Sequence, residues 1–208
     1  MNYKEISGAI MGRRRFTSIS GREVTEELLE KLSHPERDMR VIQIAGTNGK
    51  GSTAAFLNSI LRSAGYRVGM FTSPHLVRFT ERIRIGNSEI SKDDVVRLGE
   101  RVLNIPMENE PTMFDLCLSI ALLYFRENKC DYVILEAGLG GRLDSTSGLA
   151  VVPIISVITR IGLDHTEYLG DTLSAIAAEK AGILKKGTRC IIGESETEAT
   201  GVLKDSCE

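Results

Sequence analysis

Within the stretch VIQIAGTNGKGSTAAFLNSIL, residues 46–52 hold three glycines (Gly46, Gly49 and Gly51), Lys50, and the hydroxyls of Thr47 and Ser52. An apolar β-branched run precedes them and an amphipathic stretch follows. Glycines let a backbone take left-handed angles and bring its N–H groups against phosphate oxygens, and a helix N-terminus adds free donors and a favourable dipole. Lysine after such a turn supplies a point charge to β- and γ-phosphates, and the Ser52 hydroxyl can reach magnesium or a phosphate. Gly46, Thr47, Asn48, Gly49, Lys50, Gly51 and Ser52 are therefore the candidate phosphate-binding residues. The spacing departs from GxxxxGK[ST], because Ile44 stands at the first glycine position and Gly51 separates Lys50 from Ser52. The alternative is an ordinary glycine-rich turn with a surface lysine, which the density of these residue types disfavours.

Such a turn needs a strand before it and a helix after it, and the rest of the chain supplies more of both. Short β-branched runs at 41–45, 67–71, 132–136, 154–159 and 189–192 alternate with helical patterns at 52–64, 91–103, 112–128 and 171–184. Repeated strand–helix–strand units predict an α/β fold, a mostly parallel sheet flanked by helices. The 112–128 helix is apolar almost all round, as a central core helix must be. Residues 1–39 read as an N-terminal helical segment packed on the main domain, with Val24, Leu28, Leu29 and Leu32 on one face. Residues 40–208 form that domain. The polar helix at 194–208, with nothing following it, reads as the end of a truncated product.

The bulk properties bound the function class. With 208 residues, 42% of them hydrophobic and 26% charged, the chain can bury a substantial core. A formal net charge of -2 supplies no cationic field for nucleic acid, so an anionic ligand must be bound locally. Four cysteines without a CxxC pair read as reduced, packed thiols. Neither a secretory leader nor an apolar run long enough to span a membrane is present, so a cytoplasmic protein is expected.

Ser73, Glu136 and His165 each fall just beyond the carboxyl end of an expected strand, the edge where open α/β sheets bind ligands. One carboxylate with hydroxyls and nucleotide phosphates suits magnesium. Their structural alternatives are a turn before Pro74, a helix cap or ion pair at Glu136, and a polar loop residue at His165. Lys180 shares a helix face with Leu173, Ile176 and Ala177, which points its amine inward. A desolvated lysine loses basicity, and a neutral amine can react with carbon dioxide to give a metal-binding carbamate. Its alternative is a stem snorkelling the charge to the surface.

Four blocks, AGTNGKGS, TSPHL, LEAGLGGRLDSTS and ITRIGLDHTEYLGDTLSAIAAEKAGI, resemble those of folylpolyglutamate and dihydrofolate synthases of the Mur ligase superfamily, in the family's order. The resemblance implies a P-loop domain like the Mur ligase central domain, with ATP and Mg2+ as cofactors. It implies that Ser73 and Glu136 hold one magnesium, that His165 holds a second, and that Lys180 is carbamylated beside the second metal. Lys50, Lys180 and His165 are then the catalytic residues. The segment PTMFDLCLSIALLYF resembles the family's folate-contacting stretch, which implies that Phe114 stacks on a pterin and Asp115 hydrogen-bonds to it; the family usually has glutamate at that position. Phe114 reads equally well as core. Leu143, Asp144 and Ser145 match a second folate-adjacent stretch, where Ser147 replaces the family's asparagine. Arg142 either neutralises an anion or braces the loop.

The implied activity is ATP-dependent ligation of L-glutamate to folate or dihydropteroate through an acyl phosphate, by a monomer that binds neither nucleic acid nor membrane. The family's carboxyl-terminal domain completes that site. A non-catalytic nucleotide-binding fragment is one alternative. A cell-wall Mur ligase is another, disfavoured by GKGS and TSPHL.

Overall fold

In the computed structural model, residues 1–14, 21–193 and 197–207 are described; part of the polar helix expected at 194–208 lies outside them. The apolar run after Arg40 becomes β1 (Arg40–Ala45), with its side chains alternating between the two faces of a sheet. Val41 enters one core cluster, and Ile42 and Ile44 enter another on the opposite face. Both faces are covered, which is why the run is continuously apolar.

In chain order, α1 (Tyr3–Met11) and α2 (Gly21–Lys31) precede β1; α3 (Lys50–Ser63), β2 (Val68–Phe71), β3 (Ile83–Ile85), β4 (Ser88–Glu89), α4 (Lys92–Leu103) and α5 (Met113–Glu127) follow it. Then come β5 (Tyr132–Glu136), β6 (Ile155–Ile158), α6 (Thr166–Leu169), α7 (Leu173–Ala181), β7 (Arg189–Ile192) and α8 (Thr197–Asp205). Among the described residues the sheet has seven strands in the order β4-β3-β2-β5-β1-β6-β7. β2, β5, β1, β6 and β7 are parallel, and β3 and β4 join antiparallel at one edge.

Two layers of helices cover the sheet. On one face α5 lies at the centre, with Leu116, Leu118, Ile120, Leu122 and Phe125 all buried in the core cluster that also holds Val41, Phe71, Val133 and Leu135 of the sheet. Gly69 of β2 admits that helix closely, since a Cβ there would lie 2.7 Å from the Phe125 ring. Burying five such side chains contributes on the order of 10 kcal/mol before the entropy of ordering them is counted. α1, α2 and α4 extend the same core through Ile6, Ile10, Leu28, Leu29, Val95 and Leu98. On the opposite face, α3 packs Ala54, Leu57 and Leu61 on Ile42, Ile44, Met70 and Ile134. α7 and α8 complete the first face beside β6, around Ile158, Ile176, Ala199 and Leu203.

The expected strands and long helices are present, with bounds moved by up to three residues, the largest shift being at the end of α7, expected at 184 and found at Ala181. α1, α6 and the β3–β4 hairpin are additions to the sequence reading. Among the described residues no helix is long and apolar enough to cross a membrane.

Candidate functional site

β1 delivers the chain into the glycine turn at the carboxyl edge of the sheet. Gly46 has φ of 142°, and a Cβ there would stand 1.8 Å from Thr159 Oγ1, so no side chain fits. Gly49, with φ of 89°, caps α3 without a side-chain hydrogen bond. The N–H groups of Lys50, Gly51 and Ser52 occupy the first turn, where a helix has no acceptor of its own. The first to turn back is Thr53 N–H, to Gly49 O at 2.9 Å. An uncapped helix N-terminus with three donors and a partial positive charge is thereby presented at the edge.

Two lysines converge on this turn. Lys50 Nζ donates to Gly46 O at 3.1 Å and Thr47 O at 3.3 Å, and lies 4.0 Å from Glu136 Oε1. Lys180 Nζ, on the inward face of α7 and only 4% exposed, donates to the same Gly46 carbonyl at 3.0 Å. Burial, and then the Lys50 charge, bring the Lys180 amine down to about 8, against the pull of Asp164 and Asp144. The amine points inward and does not snorkel.

Glu136 ends β5, and its Oε2 accepts the Ser73 N–H at 3.3 Å. Burial pushes its carboxyl above the ordinary range, opposed by Lys50 and by the Ser73 N–H. Ser73 stands beside it after β2, so Ser73, Glu136, Lys50 and Lys180 come together around the glycine turn. Ser73 and Glu136 offer the hydroxyl and carboxylate oxygens that magnesium takes. Among the described residues no group of three or more His, Cys, Asp or Glu side chains could hold a metal by itself. Any magnesium here must therefore draw ligands from phosphate or water.

His165 sits on the same edge, after β6, as the N-cap of α6 with φ of 50°. Its side chain is exposed, paired with Asp164 at 3.8 Å, and makes no contact with Ser73 or Glu136. Its segment is tied to the glycine turn: Thr47 N–H donates to Arg160 O at 2.8 Å, and Thr47 Oγ1 bonds both Gly162 O and Gly162 N–H at 3.0 Å.

The residues expected to meet a pterin lie on the α5 side. Phe114 is half-buried, packed on Gly138, where a Cβ would stand 2.8 Å from its ring, with its centroid 5.2 Å from that of Phe71. Asp115 is fully buried. One oxygen accepts from the Thr112 N–H at 2.8 Å and the Thr112 hydroxyl at 2.7 Å; the other accepts from Thr25 at 3.1 Å and from Ser145. Both oxygens are thus committed within the protein, and Asp115 braces α5, α2 and the 145–148 turn. Asp144 is buried as well, and its Oδ2 accepts the N–H groups of Gly138 at 2.9 Å and Leu139 at 3.0 Å. Its Oδ1 accepts from the Thr146 N–H at 2.9 Å and hydroxyl at 2.6 Å. Ser147 holds the loop through Gly141 O at 2.6 Å. Leu143 is exposed. Arg142 is a brace, bonded to Glu179 Oε1 at 2.6 Å.

Several contributors escaped the sequence reading. Gly21 and Thr25 bring α2 onto Ser145 and Asp115, and a Cβ at Gly21 would stand 2.8 Å from Ser145 Oγ. Gln43, a polar residue inside an apolar strand, donates to Thr146 Oγ1 at 2.9 Å; its anomalous polarity in that run was the available signal. Buried Arg82 donates to His75 Nδ1 at 2.8 Å, and burial, then the Arg82 charge, depress the His75 pKa.

The family model of the Mur ligase middle domain matches residues 44–200. The chain is 41% identical over 213 residues to the dihydrofolate synthase/folylpolyglutamate synthase of Bacillus subtilis (strain 168), covering 99% of this chain and 49% of that protein. A solved FPGS–AMPPCP–folate complex superposes with a TM-score of 0.90 at 33% identity, over 99% of this chain and 52% of that one. Escherichia coli FolC in complex with DHPP and ADP gives a TM-score of 0.88 at 34% identity, over 99% and 49%. The chain spans about half the length of the relatives it matches.

Proposed function

Because this chain belongs to the Mur ligase middle-domain family, we propose that it is the nucleotide-binding part of an ATP-dependent ligase joining L-glutamate to a folate or dihydropteroate carboxylate. The observation that carries the reading is electrostatic. Lys50 and Lys180 meet at one carbonyl, Gly46 O, beside an uncapped helix N-terminus, with Glu136 as the carboxylate within reach. Two lysines and a helix N-terminus outweigh the one carboxylate there, and a triphosphate supplies the balancing negative charge.

ATP would lie along the 46–52 turn, its phosphates taking the free N–H groups of Lys50, Gly51 and Ser52. Lys50 would leave its carbonyl partners for the β- and γ-oxygens. Ser73 and Glu136 would hold magnesium, and His165, whose segment the Thr47 clasp holds against the turn, a second ion. Bound magnesium supplies charge neutralisation for the transferred phosphoryl group. In the reaction, a carboxylate oxygen takes the γ-phosphoryl group and ADP leaves. The glutamate amine then attacks the acyl phosphate, releasing phosphate and leaving an amide. The protein's work is positioning and electrostatics, as in phosphoryl transfer generally.

The amine of Lys180 loses its proton more readily than an ordinary lysine, which suits carbamylation by carbon dioxide. The resulting anion would contribute to the second metal. Labelled carbon dioxide should give a carbamate carbon resonance in the wild type that is missing from Lys180→Met. On the substrate side, Phe114 would supply the stacking face and Leu143 an exposed apolar contact, while Asp115, Asp144 and Ser145 shape the wall between them.

The test has two arms. In a chain extended to the length of its relatives, Lys50→Ala should lower ATP-dependent glutamate addition by roughly 100-fold or more. Titration of the 208-residue chain with magnesium and AMPPCP should show heat that Lys50→Ala abolishes. Unchanged turnover or unchanged heat would reject the assignment.

A further inference from the structure

Two of the four cysteines lie far from the glycine turn and are brought together by the fold. In β7 alternate side chains share a face. Ile192 packs into the cluster that holds Ala199 and Leu203 of α8, so Cys190 projects from the same face toward that helix. Beyond Asp205 the helical turn continues: Ser206 N–H donates to Val202 O at 3.1 Å and Cys207 N–H to Lys204 O at 2.9 Å. Cys207, one turn after the fully buried Leu203, therefore stays on the side of the helix that faces the sheet. There the half-buried Cys190 thiol and the exposed Cys207 thiol touch, and both are free thiols. Cys207 is the exposed member of the pair and is therefore the point of entry, while burial, then the Cys207 thiol, push the Cys190 pKa up, the second cause being removed once Cys207 is held in a mixed disulfide.

We propose that Cys190 and Cys207 form a thiol-modification site at which a low-molecular-weight disulfide of the glutathione class converts the pair into an internal disulfide stapling α8 to the edge strand. The Cys207 thiolate attacks one sulfur of the oxidant and expels one glutathione thiol, giving a mixed disulfide. The Cys190 sulfur, giving up its proton, then attacks the Cys207 sulfur and expels the second. Two protein thiols are oxidised to one disulfide, and one glutathione disulfide is reduced to two thiols. The staple closes the segment from Cys190 to Cys207, which contains the whole of α8. α8 also packs on α7, the helix that carries Lys180, so the oxidised state fixes the support of that helix.

The test equilibrates the purified chain with glutathione disulfide, quenches with N-ethylmaleimide and maps tryptic peptides. Cleavage after Arg189 and Lys204 isolates the two cysteines in residues 190–204 and 205–208. The expected product joins these two peptides within a monomer. In Cys190→Ser the link is lost and Cys207 retains one glutathione; in Cys207→Ser, Cys190 is recovered unoxidised. Buried Cys117 serves as an unreacted internal control. A wild-type chain that holds glutathione on Cys207 while Cys190 stays free, or that links only as a Cys207-to-Cys207 dimer, overturns the proposal.

Discussion

Glu136 and Asp144 are buried carboxylates on the same stretch of chain, and the protein uses them in opposite ways. Asp144 spends both oxygens on donors of its own loop, the N–H groups of Gly138, Leu139 and Thr146 and the Thr146 hydroxyl. Asp115 is consumed likewise by Thr25, Thr112 and Ser145. Glu136 has one backbone donor and a lysine 4.0 Å away, so its acceptors are not filled from within the protein as those of Asp144 are. A carboxylate whose acceptors are filled from within holds a loop together, whereas one left short of partners is available to a cation. The two stretches braced by Asp115 and Asp144, 112–115 and 138–147, therefore form the rigid wall, and the edge formed by Lys50, Ser73, Glu136 and Lys180 is the part with unspent interactions.

Substitutions can break or sharpen that contrast. The largest effect is expected at Asp144→Ala, which strands several buried donors together and should destabilise the fold by about 4 kcal/mol, measured by denaturant unfolding. Asp115→Ala should cost about 3 kcal/mol by the same measure, since it also removes the Asp115 half of the capping box of α5. If either variant kept wild-type stability, the wall would not be built on these carboxylates.

Lys180→Met comes next, and its effect depends on pH. The folded state holds the Lys180 amine at about 8 against an ordinary 10.5, so the unfolded chain binds its proton more tightly. The neutral amine contributes stability that is present above pH 10.5 and lost as pH falls through about 8. At pH 7 Lys180→Met should therefore be more stable than the wild type by up to about 3 kcal/mol, the difference closing as pH rises through that window. A difference independent of pH would remove Lys180 from the unspent set.

Glu136→Gln should have the smallest effect on stability, within about 1 kcal/mol near neutral pH, while abolishing any magnesium dependence of nucleotide binding. Its folded pKa is raised above the ordinary 4.5, so its contribution is fully present below pH 4.5 and lost as pH rises through the folded value. Wild-type stability relative to Glu136→Gln should accordingly fall on going from pH 4 to 7, which paired thermal melts would detect.

Much of this organisation was legible in the sequence because it rests on local chemistry. The glycine turn, the continuously apolar strands and the apolar-all-round α5 each follow from residue types at close spacing. The inward direction of Lys180 was legible as well, from Leu173, Ile176 and Ala177 on its helix face. What escaped depends on partners distant in the chain. Asp115 reads as a free acceptor until Thr25 and Ser145 are placed against it. The β3–β4 hairpin escaped although Arg82, Ile83, Arg84 and Ile85 alternate before a Gly86–Asn87 turn, because the strands are too short to register beside longer parallel runs. Ser147, in place of the asparagine expected of the family, keeps its loop closed through Gly141 O, an adaptation visible only once the loop is folded.

The Thr47 clasp has a consequence for motion. Since Thr47 and Asn48 donate to Arg160 O and the Thr47 hydroxyl bridges both polar groups of Gly162, the glycine turn cannot peel away from the strand-end segment without breaking all of these bonds together. The two stretches should open as one cooperative unit, with the amide protons of Thr47 and Gly162 exchanging with deuterium at a common rate.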